Sequence, residues 1–402
     1  MLILPKANEF IKGVCHPRQN LDMMLEAGLR WVRIDAPFPY EQDRWGEISK
    51  QYLEFRSRCE QYCKQGIRIM CVTPYPRSFA AAGVDPASAD GLERVRQLCG
   101  FLAADFKHLE LCWQITNEMN VFHFRHPLSL EQAAAFILAG LRGVRDGAPL
   151  AVCGYNTAGI GGASLGIAVK VAEALGGAGI GDINAITGAN DADKLIEALK
   201  PYHDLADYIG LDTYKGTWQD GEPEDIIADV DRAHELAGLP VILQEFGFAS
   251  AGEIFTFEEV VGFFSNIGYD RLDAVFADPS LFLARVSGRL AEIIGKSPPQ
   301  ERTKNALSLL PHIMKKWPGG SRKYPHTPEG QAAFYDNLLG KLLAHPHLCG
   351  ALIYSWSDSK QCYLCRADDC PCETAWGITY SDESPKPAYH IIRKHFAPNV
   401  KN

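Results

Sequence analysis

The chain has 402 residues, 47% of them hydrophobic, which is ample for a large buried core. Its formal net charge is -9, from 40 basic and 49 acidic residues, and no Lys/Arg cluster supplies the basic face that nucleic-acid binding requires. A neutral or weakly polar small substrate is the better expectation on that charge balance, and no apolar run reaches the roughly 18 residues of a membrane span. The N-terminal stretch MLILPKANEF is broken by Pro5 and lacks a basic region and a cleavage site, so no signal peptide is expected. Twelve cysteines without an export signal then point to a reducing, cytoplasmic setting, and most sit singly in apolar segments as small hydrophobes.

Short apolar runs alternate with segments of helical spacing. FIKGVCHP reads as a strand and NLDMMLEAGL as the helix after it. RWVRIDAPF is the second strand, and QYLEFRSRCEQYCKQG a helix closing at Gly66. IRIMCVTPYP and GLERVRQLCGFLAADF form the third pair. HLELCWQITNE is the fourth strand, followed by SLEQAAAFILAGLRGV with Ser129 as its N-cap. LAVCGYN is the fifth strand, with helical segments near 166–176 and 192–200. DYIGLDTY is the sixth, and EPEDIIADVDRAHELAG its helix. PVILQEFGF is the seventh. The segment at about 251–325 interrupts the cycle with three helical pieces, FTFEEVVGFFSNIG, DPSLFLARVSGRLAEIIG and NALSLLPHIMKKW. TPEGQAAFYDNLLGKLLAH restores it, CGALIYSWSD is the eighth strand, and KPAYHIIRKHF a closing helix.

Eight strand-helix units in order predict an α/β fold, a (β/α)₈ TIM barrel formed by residues 1–402 as one domain, with a helical insertion after strand seven. The strands are continuous apolar runs, as a parallel sheet buried on both faces requires. In such barrels chemistry sits at the C-terminal strand ends. Those ends carry His16, Arg33 with Asp35, Tyr75, Asn117 with Glu118, Asn156, Asp212 with Tyr214, Gln244 with Glu245, and Trp356 with Asp358. There is no Gly-rich phosphate cradle and no His-x-x-x-His pair.

Glu118 ends strand four and Glu245 ends strand seven, on opposite sides of a barrel mouth. Two facing carboxyls suit glycosidic bond cleavage, one attacking the anomeric carbon and the other handling the proton. Asn117 is placed to hydrogen-bond a sugar hydroxyl. Trp356 is expected to stack on the apolar face of a sugar. His16, Asn156 and Asp212 are further candidate sugar contacts, while Arg33 is expected to face the pocket, to pair with Asp35, or to do both. His123 and His126 read as solvated loop residues.

TNE ending strand four, LQEFG ending strand seven and a Trp ending strand eight together resemble glycoside hydrolase clan A, the retaining β-glycosidases built on this barrel. The final WGITYSDESPKPAYHIIRKHF is similar to the clan's usual ending. The resemblance implies Glu118 as acid/base, Glu245 as nucleophile, Arg33 close to the nucleophile and Tyr214 hydrogen-bonded to it. It also implies a small-molecule carbohydrate substrate and no catalytic cofactor. The residue after the acid/base, often Pro in the clan, is Met119 here. Two alternatives remain at this stage: a carbohydrate-binding barrel without catalysis, and a barrel hydrolase of other chemistry.

CYLCRADDCPC sets Cys362, Cys365, Cys370 and Cys372 within one short loop after strand eight. Four thiolates so close can surround a structural zinc. Free thiols, disulfides or another metal are the alternatives.

Overall fold

The structure, a computed structural model, describes residues 10–397 except 19, 43, 161–190, 272–273, 287, 298 and 300–301. Eight strands close a barrel: β1 (Ile11–Cys15), β2 (Trp31–Asp35), β3 (Arg68–Val72), β4 (Cys112–Gln114), β5 (Cys153–Ala158), β6 (Tyr208–Thr213), β7 (Val241–Phe246) and β8 (Leu348–Ile353). Each is parallel to both neighbours, and β1 shuts the ring against β8 with Val14 opposite Ile353. Helices alternate with the strands around the outside, which makes this a (β/α)₈ barrel. The expected helix near 166–176 lies outside the described residues, whereas Asp191–Leu199 is helical.

The barrel is held from two sides. Inside, Cys15, Trp31, Met70, Cys112, Tyr208 and Leu352 fill the lumen. The Tyr208 hydroxyl donates to the Trp113 carbonyl at 2.9 Å and accepts from Gln244 Nε2 at 2.9 Å, so this buried hydroxyl is satisfied on both sides. Outside, the apolar faces of the helices cover the strands in one continuous core. The helix Leu130–Gly147 shows how local sequence fixes an element. Ser129 accepts from the backbone of Gln132, and the Gln132 side chain accepts from the backbone of Ser129, a complete capping box.

Three features depart from the sequence reading. A two-stranded antiparallel hairpin, Tyr40–Glu41 with Arg44–Ile48, follows β2. β4 is shorter than expected, because Glu110, Thr116 and Glu118 on either side of it have φ near +50° and leave the extended region. In the insertion, the expected continuous helix over 278–295 is split into Ser280–Leu283 and Gly288–Gly295, with Gly288 at φ +56°. The third piece is likewise divided into Arg302–Ser308 and Leu310–Met314, where Pro311 lacks the N–H a continuing helix needs.

The insertion has a core of its own. Phe255, Phe264, Phe282, Leu310 and Trp317 pack together with Cys362, Cys370, Cys372 and Trp376 from the segment after β8. Two distant stretches of chain thus share one apolar cluster at the C-terminal side of the barrel. Among the described residues, no helix is long and apolar enough to cross a membrane.

Candidate active site

The end of β4 carries two left-handed residues two positions apart. Thr116 and Glu118 both sit at positive φ, 52° and 44°, an arrangement that costs on the order of 1–3 kcal/mol per residue. Neighbouring strands hold them there. The Thr116 N–H donates to Thr73 Oγ1 at 2.9 Å, and the Glu118 N–H donates to Asn156 Oδ1 at 2.9 Å. The chain therefore turns sharply and projects Asn117 and Glu118 over the mouth.

Arg33, at the end of β2, organises the floor. Its Nε donates to Gln114 Oε1 at 2.6 Å, one Nη to Asn117 Oδ1 at 2.6 Å, and the other Nη to Glu245. The pairing with Asp35 does not occur. Asp35 is exposed and accepts instead from the Tyr75 hydroxyl at 3.3 Å. Glu245 also accepts from the Tyr214 hydroxyl, so each of its oxygens has a donor. Burial, then the Glu245 charge, holds the Tyr214 phenol well above its usual pKa, so it stays a donor.

Asn156 was expected to contact sugar, but both ends of its amide are used within the protein. Its Nδ2 donates to Asn117 Oδ1 at 2.8 Å and Asp212 Oδ2 at 2.6 Å, and its Oδ1 holds the Glu118 N–H. It braces the site. Asn117 Oδ1 accepts from Arg33, Gln114 and Asn156, while its N–H₂ has no partner among the described residues and can serve a ligand.

Three buried carboxyls face one another. One oxygen from each of Glu118, Asp212 and Glu245 lies within 4.8 Å of the other two. A single guanidinium cannot balance three such charges. Burial first, then the Glu245 charge, pushes the Glu118 pKa up to about 8. Burial and the charges of Glu245 and Glu118 hold Asp212 well above the usual carboxylate range. The arrangement sets Glu118, which burial and the Glu245 charge keep protonated, opposite a Glu245 held by Arg33 and Tyr214. The same triad offers three oxygens to a cation, but Arg33 on Glu245 already brings a positive charge into that space.

Around this centre the walls are aromatic. Trp356 does not provide one. It is 1% exposed, its indole N–H donates to Glu383 at 3.0 Å, and it belongs to the core. Tyr354, two residues earlier, takes the position instead, edge-on to His16, Tyr214 and Trp376. His16 stands exposed at the end of β1 beside it. The segment after β8 adds Tyr363 and Glu373, which the strand-end reading missed because they lie beyond the ladder. Glu373 accepts from the Tyr354 hydroxyl at 3.2 Å. Tyr363 is 46% exposed, as befits a cleft wall. His123 is not solvated. It is half-buried in the short helix Phe122–Arg125, and burial pushes it down to about 4.

The cysteine segment gathers a different set from the one expected. The donor atoms of Cys362, Cys365 and Cys370 lie within 4.8 Å of one another and of a ring nitrogen of His312, which comes from the insertion. Cys372 is outside that set, its thiol directed to the Lys316 carbonyl at 3.8 Å. This group could hold a structural zinc.

No family model matches the chain, and no curated protein matches it. Solved structures do. A family 39 glycoside hydrolase from Bacteroides cellulosilyticus WH2 superposes over 99% of the chain with a TM-score of 0.53 at 14% identity. The chain spans 65% of that protein's length, less than two thirds of it. A family 53 glycoside hydrolase catalytic domain from Ignisphaera aggregans matches over 97% of both chains, with a TM-score of 0.53 at 15% identity. A family 10 xylanase from Thermobacillus composti matches over 98% of both, with a TM-score of 0.54 at 12% identity. The chain is thus similar in fold to clan A glycoside hydrolase barrels.

Proposed function

We propose that the chain is a retaining β-glycosidase acting on a small glycoside or oligosaccharide. The observation that carries this reading is the facing pair of carboxyls, whose nearest oxygens lie within 4.8 Å and whose surroundings differ. Retaining enzymes place the two carboxyls about 5–5.5 Å apart, whereas inverting enzymes leave about 6.5–9.5 Å for a water.

In the first step a Glu245 oxygen attacks the anomeric carbon and the glycosidic C–O bond breaks. The proton of Glu118 passes to the leaving oxygen. In the second step Glu118, now a carboxylate, takes a proton from water. The resulting hydroxide oxygen bonds to the anomeric carbon and displaces Glu245. Arg33 and Tyr214 hold Glu245 in place for attack. The free N–H₂ of Asn117 and the wall residues Tyr354, Tyr363 and Glu373 are suited to binding sugar hydroxyls and the apolar ring face. The insertion and the segment after β8 wall the cleft beside one barrel domain, which favours short substrates. The similarity of fold to glycoside hydrolase barrels is consistent with this chemistry.

Azide tests the roles. In Glu118→Ala, an aryl glycoside that needs no protonation still forms the covalent intermediate, and azide resolves it to the β-glycosyl azide. In Glu245→Ala no intermediate forms, and azide enters from the other face to give the α-product. Loss of acid/base help is expected to cost roughly 10²–10⁴-fold on substrates with poor leaving groups. An α-azide from Glu118→Ala, or wild-type rates in either variant, would overturn the assignment. A wild-type rate abolished by chelator would favour metal-dependent hydrolysis instead.

A further inference from the structure

We propose that His312, Cys362, Cys365 and Cys370 form a closed tetrahedral zinc site that ties the insertion to the segment after β8. The geometry is that of a coordination sphere. With Zn–S near 2.3 Å and Zn–N near 2.0–2.1 Å, a tetrahedral ion sets its nitrogen and sulfur donors about 3.6 Å apart. The His312 Nδ1 lies 3.6 Å from Cys362 Sγ and 3.7 Å from Cys370 Sγ. All four donor atoms fall within 4.8 Å of one another.

The backbone is shaped to the same end. Cys362 and Cys365 stand at a C-x₂-C spacing, and the Cys365 N–H points at Cys362 Sγ at 3.4 Å. The Cys362 N–H donates to the Ala367 carbonyl at 2.8 Å, and the Arg366 N–H returns to the Cys362 carbonyl at 2.9 Å, with Arg366 at φ +64°. The chain thus curls round the first sulfur. Two thiols and the imidazole are buried in the apolar cluster with Leu310 and Trp317, and Cys365 is half-buried at its edge. Three thiolates and one imidazole fill the four positions of a tetrahedral ion and leave none for a water, which makes a structural site, not a catalytic one. The set is borderline-soft, which selects zinc over calcium or magnesium. Cys372 donates to the Lys316 carbonyl and stands beside the site outside the set of four.

His312 lies 50 residues before Cys362, so the ion would link two parts of the chain that share no strand or helix. It would also fix the stretch that carries Tyr363 and Glu373 to the cleft.

Metal analysis of the full chain, purified without chelator under reducing conditions, should find about one zinc per chain. Cobalt exchanged into the wild type should give the absorption of a tetrahedral ion with thiolate charge-transfer bands. His312→Ala and Cys370→Ser should each cut the zinc content to less than about a fifth, while Cys372→Ser keeps it. Wild-type protein that holds well under one zinc after incubation with zinc and gel filtration would overturn the site, whatever the variants do. Iron in its place would overturn the choice of metal. A Cys372→Ser chain empty of zinc beside a full His312→Ala chain would overturn the ligand set. None of these readings depends on catalysis, so a zinc-free chain that cleaves glycosides would sink this proposal and leave the proposed function standing.

Discussion

Glu118 is under two pressures of the same sign, burial and the neighbouring charge of Glu245, and both hold its proton. A carboxyl whose folded pKa exceeds its unfolded value stabilises the fold below the unfolded value. Here that value is the ordinary 4.5, and the contribution is lost as pH rises through about 8. Glu118→Gln should therefore gain on the wild type in thermal stability as pH climbs from 5 to 8, and a difference in Tm independent of pH would contradict this. Under the proposed function, the same proton sets the alkaline limb of kcat/KM. For substrates with poor leaving groups activity should fall near pH 8, and the fall should flatten when the leaving group needs no protonation. Arg33→Lys is the companion change. A single ammonium cannot reproduce donations to Gln114, Asn117 and Glu245 together, so kcat should drop by about 10-fold or more while the overall fold, read by circular dichroism, stays. Arg33, Asn117, Glu118, Tyr214 and Glu245 converge because strand ends in a parallel barrel point to one mouth, and that rule is legible in the sequence. Asn156 also lies there, but no pattern of residue types says that both ends of its amide are engaged by Asn117, Asp212 and the Glu118 backbone. Trp356 is misplaced for another reason. The ladder of β8 ends at Ile353, and beyond it counting by twos no longer assigns a face.

At the scale of elements, the two helices Ala89–Asp105 and Leu130–Gly147 meet through glycine. A Cβ on Gly143 would lie 2.2 Å from the Arg96 carbonyl oxygen, and one on Gly147 would lie 2.0 Å from that of Gly100. Alanine is the better helix former by about 1 kcal/mol. Overpacking against a backbone carbonyl, which cannot swing aside, costs about 1–3 kcal/mol. Gly143→Ala should therefore destabilise the protein in chemical denaturation, and a gain in stability would show that the helices can separate at no cost. Periodicity shows these helices clearly but not their distance, because a glycine that permits contact reads the same as one that merely weakens a helix. The insertion is the converse case. Its apolar spacing suggests three helices, and the breaks at Gly288 and Pro311 depend on how the pieces fold back on one another.

For the molecule as a whole, a buried ion pair ties the start of the closing helix to the segments that follow two barrel strands. Lys386, 1% exposed, donates to Asp358 at 2.7 Å and to Ser250 Oγ at 2.6 Å, linking the closing helix to the segments after β7 and β8. Lys386→Ala leaves the Asp358 charge without its cation, with the Gly377 N–H still donating to it, and should cost about 3–5 kcal/mol in denaturant unfolding, whereas a surface-like loss below about 1 kcal/mol would show that water already reaches the pair. The two apolar cores have a different consequence. The cluster built from the insertion and the cysteine segment is separate from the one between barrel and helices. Separate cores permit separate opening. Amide hydrogens of Phe257–Asn266 and Gly288–Gly295 should exchange with deuterium through a partial unfolding that leaves the protons of β6 and β7 protected, and a single shared exchange free energy would show one cooperative unit. Under the proposed function, such a molecule loosens the rim of its cleft for product to leave while the strands that align its reacting groups stay folded.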